Sequence, residues 1–327
     1  MQEQEEQNPK TLFNNFKTWL ENQSLYLFSG CIEEKYPGIK RGMQFIGKSV
    51  LKQKLYSYSE QSCCTGPLTK MGFGDQDSLK MYTMENISLR EHGESVVITS
   101  CNGCYSYMIK SEQVITEIPT VMYANDAQSM LKPLLLHGIE YLTIWFRSLF
   151  PLIKYSLERA TFSPQYGCHY LNQYGVSKEM SFRNLYAQVR NLKWYYNSIP
   201  SYIEDIIKPL RGNIAEYPES LLCCGGSTPQ RQINAENAIS VAKKKFSSIQ
   251  SLKKKPDVIL TICPLCMFWM EESQLLSELK NIYSEPIPII HINELLAICL
   301  GDQETLSQAQ TTHKISLKPF LEKIVIK

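Results

Sequence analysis

The chain has 327 residues, of which 43% are hydrophobic, 20% are charged and eleven are cysteine. This composition is that of an ordinary globular protein: it excludes collagen, a coiled coil and bulk disorder, and the cysteine content is too low for a small disulfide-stapled domain. The 34 basic residues against 32 acidic ones leave a net charge of +2, which gives no strong field for nucleic acid or an anionic membrane. No nucleic-acid partner is therefore expected.

Residues 1–23 are predicted to form a polar N-terminal extension. They begin with an acidic segment (MQEQEEQNPK), which lacks the basic and apolar regions of a secretory signal. The apolar stretch Leu131–Ile153 is interrupted by charged residues and prolines, so it predicts a buried or partner-facing helical segment rather than a membrane span. A cytoplasmic location with reduced thiols is therefore expected.

Three short apolar runs predict buried parallel strands. Ser24–Ser29 ends at Gly30 and Cys31, whereas Ser95–Ser100 and Asp257–Ile262 each run into a C-x-x-C motif followed by a helix-compatible segment. Each C-x-x-C is therefore predicted at the carboxyl end of a strand, which is where open α/β sheets place ligands. The N–H groups at the start of the following helix favour thiolates and anionic sulfides.

Ten of the eleven cysteines form two groups with the same order: a single cysteine, a Cys-Cys pair and a C-x-x-C. The first group is Cys31, Cys63, Cys64, Cys101 and Cys104, and the second is Cys168, Cys223, Cys224, Cys263 and Cys266. Glycines repeat as well, because Gly30 and Gly167 precede the single cysteines while Gly66 and Gly226 follow the pairs. The pattern indicates an internal duplication. Cys299, in an apolar segment, is interpreted as a core residue.

Five thiolates per half exceed the four ligands of a structural zinc site or of a cubane iron–sulfur cluster. Adjacent cysteines do not easily direct both sulfurs at one tetrahedral ion, whereas a cluster with several iron positions accommodates such a pair. The spacing therefore favours an unusual iron–sulfur cluster, with zinc in one half as the alternative. The glycines beside the pairs allow the backbone to approach a bulky inorganic core.

The cysteine pattern, present twice, resembles the cysteine-rich CCG domain, and the local sequence resembles the B subunit of heterodisulfide reductase. The segments that carry this resemblance are Leu27–Gly38 (LFSGCIEEKYPG), Cys101–Tyr105 (CNGCY), Tyr166–Tyr170 (YGCHY) and His291–Gly301 (HINELLAICLG). The resemblance implies an α/β fold with two duplicated CCG domains, residues 24–155 and 156–327. Each is expected to be a small, mainly parallel sheet flanked by helices, with its cluster at the carboxyl ends of the strands.

The resemblance also implies cofactors and partners. In that family each half binds a non-cubane 4Fe-4S cluster through five cysteines, and a disulfide such as CoM-S-S-CoB is split between the two clusters. Carried over here, each of the two cysteine groups holds one cluster. Electrons are expected from the iron–sulfur C subunit and the flavin A subunit of such a complex, or from an equivalent donor, because the sequence itself has no flavin or nicotinamide motif.

Two features depart from the family pattern: the N-terminal extension and a long gap between Cys168 and Cys223. The surplus is predicted to be an inserted, aromatic-rich helical segment around 181–219. Its aromatic residues include Tyr186, Trp194, Tyr195, Tyr196 and Tyr202. The segment is expected either to cover the active-site cleft or form a partner surface, or to pack on its own domain. The sequence does not identify the substrate.

A few further residues are candidates for function. His169 directly follows a cysteine of the second group and is a candidate proton donor to a departing thiolate, or else supports the cluster or backbone. His137 and His291 enter apolar helices at comparable places and are interpreted as structural. The runs Lys243–Lys245 and Lys253–Lys255 are interpreted as solvated faces, with docking of an acidic electron carrier as the alternative.

The sequence therefore predicts the catalytic iron–sulfur subunit of a heterodisulfide-reductase-type complex, which reduces or forms a disulfide. One alternative keeps the clusters but makes the chain an electron-transfer subunit of a sulfur-oxidising complex or of a succinate, glycolate or lactate dehydrogenase. The other alternative is a zinc-bound structural subunit without a redox role.

Overall fold

The computed structural model describes residues 8–73, 75–115, 133–171, 201–279, 282 and 285–325, and within them two sheets of four parallel strands. The first sheet contains β1 (Ser24–Phe28), β2 (Lys54–Tyr56), β3 (Val96–Thr99) and β4 (Leu134–His137), ordered β2-β1-β3-β4. The central strands β1 and β3 are almost completely buried, as expected of continuous apolar runs in a parallel sheet.

The second sheet repeats this arrangement. It contains β5 (Thr161–Gln165), β6 (Asn213–Ile214), β7 (Val258–Thr261) and β8 (Ile289–His291), ordered β6-β5-β7-β8. In both sheets the first and third strands along the chain are central, so the duplication seen in the cysteines extends to the topology. The predicted fold class, two α/β units that each have a small parallel sheet flanked by helices, is confirmed.

Helices connect the strands in both halves. Those of the first half are α1 (Pro9–Glu21), α2 (Pro37–Gln44), α3 (Gly66–Lys70), α4 (Gln76–Ser88), α5 (Asn102–Ile115) and α6 (Gly138–Leu149). Those of the second half are α7 (Cys168–Leu171), α8 (Tyr202–Ile207), α9 (Thr228–Ile233), α10 (Ala235–Gln250), α11 (Pro264–Gln274), α12 (Ile292–Cys299), α13 (Gln303–Thr312) and α14 (Lys318–Val325). A π-helical turn at Phe45–Val50 extends α2, and short 3-10 helices lie at Phe150–Leu152 and Pro218–Leu221.

His137 and His291 occupy the same position in the two halves, at the start of the helix that follows the fourth strand. Nδ1 of each histidine accepts the backbone N–H two residues later at 3.2 Å. The carboxylates of Glu140 and Glu294 in turn accept the N–H of the histidines, at 2.8 and 3.2 Å. Each pair is thus a capping box that starts α6 or α12, which confirms the structural interpretation of both histidines.

The apolar stretch Leu131–Ile153 is not one helical segment. Within it, Leu134–His137 forms β4, which pairs with β3, and only then does α6 begin. The prediction of a helix was wrong over these four residues, because their leucines complete the buried sheet. Across the described ranges, no helix is long and apolar enough to cross a membrane.

The two halves interlock through reciprocal helix contacts. Helix α12 of the second half packs against α2 of the first, and α6 of the first half packs against α8 of the second. At the first contact, the Asn293 amide donates to the carbonyl oxygen of Ile39 at 3.3 Å and to the hydroxyl of Ser100 at 2.7 Å. Arg41 pairs with Asp302 at 3.2 Å. One cluster of buried apolar side chains therefore continues from the first half into the second.

The predicted N-terminal extension and insertion are each described in part. Helix α1 lies inside the extension, and its Leu20 is fully buried, so this helix packs on the core. Of the insertion at 181–219, residues 181–200 lie outside the described residues. They include Tyr186, Trp194, Tyr195 and Tyr196. Tyr202 is described and is buried at the start of α8. The domain limits 24–155 and 156–327 stay predictions; the two sheets lie on either side of residue 155.

Candidate metal centre

Each C-x-x-C motif lies between a central strand and the helix that follows it. Cys101 and Cys104 are placed by the end of β3 and the start of α5, and Cys263 and Cys266 by the end of β7 and the start of α11. The hydroxyl of the threonine that ends each strand accepts the N–H of the first cysteine, at 3.5 Å in the first half and 3.2 Å in the second. The predicted position at the carboxyl ends of strands is confirmed.

The two Cys-Cys pairs lie in matched turns before α3 and α9. The N–H of Thr65 points at Sγ of Cys63 at 3.4 Å, and the N–H of Gly225 points at Sγ of Cys223 at 3.3 Å. Both Thr65 and Gly225 have positive φ, 57° and 85°, so the two turns share a left-handed residue that aims an N–H at sulfur. A threonine in this conformation is uncommon and is held there by the turn.

The ten patterned thiols form one unbroken series of neighbours. In order along the series they are Cys31, Cys63, Cys64, Cys104, Cys101, Cys263, Cys266, Cys224, Cys223 and Cys168. The order in one half mirrors that in the other, and the halves meet between Cys101 and Cys263. Among the described residues, no group of three Cys, His, Asp or Glu side chains has the arrangement that would bind a single metal ion. The series of neighbouring thiols thus continues from one half into the other.

The solvent accessibility of the thiols is also highest at the two ends of the series and lowest in its middle. Cys31 and Cys63 at one end are exposed, and Cys168 and Cys223 at the other end are half-buried. The six thiols between these ends are buried: Cys64, Cys101, Cys104, Cys224, Cys263 and Cys266. Cys299 lies apart from the series, fully buried in α12, which confirms that it belongs to the core.

Three of the ten thiols have a strongly lowered pKa: Cys63 in the first half, and Cys223 and Cys263 in the second. The pKa of Cys63 and of Cys223 is lowered to about 2. Hydrogen bonds from the neighbouring thiols contribute most to this shift, and the backbone N–H groups described above contribute less. The same thiol contacts raise the pKa of Cys31 and Cys168 above the ordinary value. Each Cys-Cys turn therefore favours a thiolate, which is the form of cysteine that binds metals.

A cleft of about 70 Å³ opens beside the first-half thiols, and both halves line it. Its walls include Cys31, Cys64 and Cys104 from the first half and His169 and Leu265 from the second. The Nδ1 atom of His169 lies 3.6 Å from Sγ of Cys168. His169 therefore faces the first group of cysteines while touching a cysteine of the second group.

Sequence reasoning missed Glu33, which is buried beside the cysteines. Its Oε1 accepts the N–H of Gly30 at 2.9 Å, and its Oε2 has no hydrogen-bond partner. Burial raises the pKa of Glu33 to about 8. Only its spacing, two residues after Cys31, pointed to this place.

The interpretation of Lys243–Lys245 as a solvated face was wrong for Lys245. Lys243 and Lys244 are exposed, but the Lys245 side chain points inward from α10 and the residue is 1% exposed. Burial lowers the pKa of Lys245 to about 8, against the opposing effect of the second-half thiols. A run of three lysines gives no signal that one of them is buried.

A second group missed from the sequence is a buried ion network where the halves meet. His313 lies between two carboxylates, with Nδ1 2.9 Å from Glu271 and Nε2 3.3 Å from Glu294. The hydroxyl of Tyr36 donates to Glu271 at 2.8 Å. Burial lowers the pKa of His313, but the two carboxylates outweigh this effect and raise it to about 10. The network joins the loop after Cys31 to three elements of the second half.

Comparison with known proteins now identifies the family. Residues 25–109 and 165–271, together more than half of the chain, match the CCG cysteine-rich domain. The chain belongs to the CCG cysteine-rich domain family. Each matched segment contains a Cys-Cys pair, a C-x-x-C motif and the central strand that directly precedes that motif. This CCG protein therefore carries two copies of the domain.

Relatives of this CCG protein extend over nearly its full length. It is 25% identical over 289 residues to the B subunit of the ferredoxin:CoB-CoM heterodisulfide reductase of Methanosarcina mazei, and the match covers 85% of this chain and 89% of the relative. It is 22% identical to the 8-methylmenaquinol:fumarate reductase membrane anchor subunit of Wolinella succinogenes, covering 84% and 91%. A crystal structure of a hypothetical protein from Helicobacter pylori shares the fold, with a TM-score of 0.58 and 11% identity over 96% of this chain and 59% of that one.

Proposed function

We propose that this chain is the iron–sulfur subunit of a heterodisulfide-reductase-type complex, with one non-cubane 4Fe-4S cluster on each group of five cysteines. The observation that carries the proposal is the unbroken series of ten thiols, which crosses from one half to the other beside a cleft lined by both. The names of relatives that extend over most of the chain support the same class of complex.

The residues around the thiols fit a bulky inorganic group. A Cβ added at Gly30 would lie 3.2 Å from Sγ of Cys104, and one added at Gly167 would lie 3.0 Å from Sγ of Cys266. Side chains at these two glycines would therefore crowd the inner thiols in both halves. Five thiols per half also suit a group with several iron positions better than one tetrahedral zinc ion, which takes four ligands.

In the proposed reaction, a disulfide such as CoM-S-S-CoB takes up two electrons and two protons and yields two thiols; in the other direction, two thiols give the disulfide. The bound clusters would supply the electrons and the iron that receives sulfur. The cleft walls, which come from both halves, would hold the substrate beside the first group of cysteines and exclude water. His169, at the wall of the cleft, would hold the proton that passes to a departing thiolate.

The electrons have to come from another protein. The proposed partners are the iron–sulfur C subunit and the flavin A subunit of such a complex, or an equivalent donor, in the cytoplasm. The exposed end of the series, at Cys31 and Cys63, is the part of it that a docked donor approaches most closely.

Metal content and spectroscopy of anaerobically purified protein test the proposal. We expect about eight irons per chain, four for each of two clusters, with acid-labile sulfide and no stoichiometric zinc. Cys64→Ala is expected to remove the electron paramagnetic resonance signal of one cluster and to abolish disulfide reduction. Its matched control is Cys299→Ala, another buried cysteine, which lies outside the series. Zinc without iron, or full turnover of Cys64→Ala with one cluster missing, would refute the proposal.

The role of His169 has a separate test. His169→Gln is expected to lower the rate of disulfide reduction roughly 10²-fold or more, a typical contribution of general acid catalysis, while iron content stays unchanged. The matched control is His92→Gln, which replaces an exposed histidine away from the cleft. A wild-type rate at every pH from 6 to 8 would exclude His169 as the proton donor.

A second candidate function keeps the clusters but not the disulfide. The relative from Wolinella succinogenes, named as a subunit of a quinol:fumarate reductase, favours a role in passing electrons between a dehydrogenase and a carrier. Loaded protein that is reduced by a quinol analogue, and that has no disulfide reductase activity with its partners present, would assign this role.

A further inference from the structure

The two groups of cysteines have matching backbone surroundings. In the first half, N–H groups of the Cys-Cys turn approach both sulfurs of the pair, from Thr65 and Gly66. In the second half, Gly225 and Gly226 provide the same two donors, at 3.3 and 3.4 Å. Hydrogen bonds at the pairs therefore give the two centres similar stabilisation, and a difference between the centres has to come from other groups.

Lys245 is a buried positive charge beside the second group of cysteines. Its ammonium donates to the carbonyl oxygen of Glu219, in the 3-10 helix directly before the Cys-Cys pair, and lies 5.3 Å from the ring centroid of Tyr217. From this buried position its charge acts on Cys224, Cys266 and Cys223, in decreasing order. Because Lys245 is buried, water and salt screen its charge little.

Arg231 adds a second positive charge on the same side. Its Nε donates to the carbonyl oxygen of Gly226 at 3.0 Å, and the N–H of that glycine points at Sγ of Cys224. The guanidinium lies 5.2 Å from the ring centroid of Phe268 and 5.7 Å from that of Trp269, which fixes it against α11. Its charge acts on Cys224.

Among the described residues of the first half, the one buried lysine or arginine is Arg90, which donates to the carbonyl oxygens of Ile87 and Glu94 before β3, at the strand end away from the thiols. The first group therefore has no buried lysine or arginine beside it among these residues. The buried carboxyl beside it, Glu33, adds no positive charge, and it acts on Cys263 of the other half as well as bonding to Gly30. Among the described residues, the two groups therefore match in their thiols but differ in the cations beside them.

We propose that Lys245 and Arg231 make the second-half centre the one with the higher reduction potential, so that an electron entering the pair of centres resides there. An added electron makes a cluster more negative, and a buried cation beside its ligands stabilises that state and raises the potential. Both are positioning residues in this scheme, since they act through the cysteines and their turn. The inference rests on the proposed function, because it needs both cysteine groups to hold clusters.

A redox titration of the full-length, iron-loaded chain with dithionite, followed by electron paramagnetic resonance, tests the inference. We expect two potentials, and we expect the higher one to fall in Lys245→Met while the lower one stays in place. Lys244→Met, the neighbouring exposed lysine on the same helix, is the matched control and is expected to change neither. Lys245→Arg keeps the charge and is expected to retain the higher potential.

Arg231→Gln gives an independent readout, since its side chain is only half-buried and its loss leaves the core intact. It is expected to shift the same potential in the same direction as Lys245→Met. Two signals whose potentials are unchanged in both variants, or a shift of the lower potential only, would overturn the inference and leave the proposed function standing. Protein that binds no iron would overturn the proposed function itself.

Discussion

At the scale of single residues, His313 shows how the fold holds charge in its interior. Its two ring nitrogens face Glu271 and Glu294, and all three side chains are fully buried. A buried pair is costly to break, because removing one partner leaves an uncompensated charge behind. Tyr36 extends the network into the loop that follows Cys31, so the ion network supports a loop that carries a proposed ligand.

This network makes stability depend on pH in a defined direction. The folded-state pKa of His313, about 10, is above its ordinary value of 6.5. A raised pKa contributes stability that is complete below about pH 6.5 and is lost as the pH rises towards about 10. We therefore expect the free energy of unfolding, measured by chemical denaturation, to fall across this window.

His313→Gln is expected to lower the free energy of unfolding by about 3 kcal/mol near pH 6.5 and to flatten its dependence on pH above that point. His92→Gln is the matched control, because His92 is half-exposed and lies outside the network. An equal slope with pH in the wild type and His313→Gln would show that His313 is not protonated in the folded protein.

At the scale of elements, local patterns predicted what local sequence determines. The strands before each C-x-x-C and the helices after them were predicted because six-residue β-branched runs followed by helix-compatible segments are local signals. The strand at Leu134–His137 was missed, because its four residues continue directly into α6 and differ from a helix only through pairing with β3. Whether such a segment forms a strand or a helix depends on its length and on the strand beside it, rather than on its composition.

The residues of the candidate site also separate into those that the local sequence predicts and those that it does not. The two groups of cysteines were predictable because the same residue types recur in the same order and at similar spacings in both halves. Lys245, Arg231 and Glu33 were not. Lys245 reaches the thiols through a tertiary contact with the segment at Glu219, and the local bonds of Arg231 to Gly226 and of Glu33 to Gly30 follow no recognisable motif. The charges that distinguish the two halves are therefore visible only in the folded chain.

At the scale of the whole molecule, the duplication produces an interlocked pair rather than two separate domains. The helix after the fourth strand of each half packs on a helix of the other half, so that neither half covers its own core completely. The same contact between the halves places Cys101 beside Cys263. It also brings residues of both halves to the walls of the cleft. The relative position of the two cysteine groups therefore depends on the contact between α2 and α12.

Gly42 is one of two glycines in α2 at which this contact leaves no room for a side chain. A Cβ at this position would lie 2.6 Å from the carbonyl oxygen of Asn293, so Gly42→Ala is expected to force α2 and α12 apart and to cost about 1–3 kcal/mol of stability. Because the clusters of buried apolar side chains include residues of both β3 and β7, hydrogen exchange should show the loss equally in these two strands. Gly103→Ala, a helical glycine whose added Cβ would have its nearest neighbour at 3.7 Å, is the control and should leave both strands unchanged. Faster exchange in β3 alone would mean that the two halves unfold independently, and the cleft between them would then not be a fixed feature of the fold.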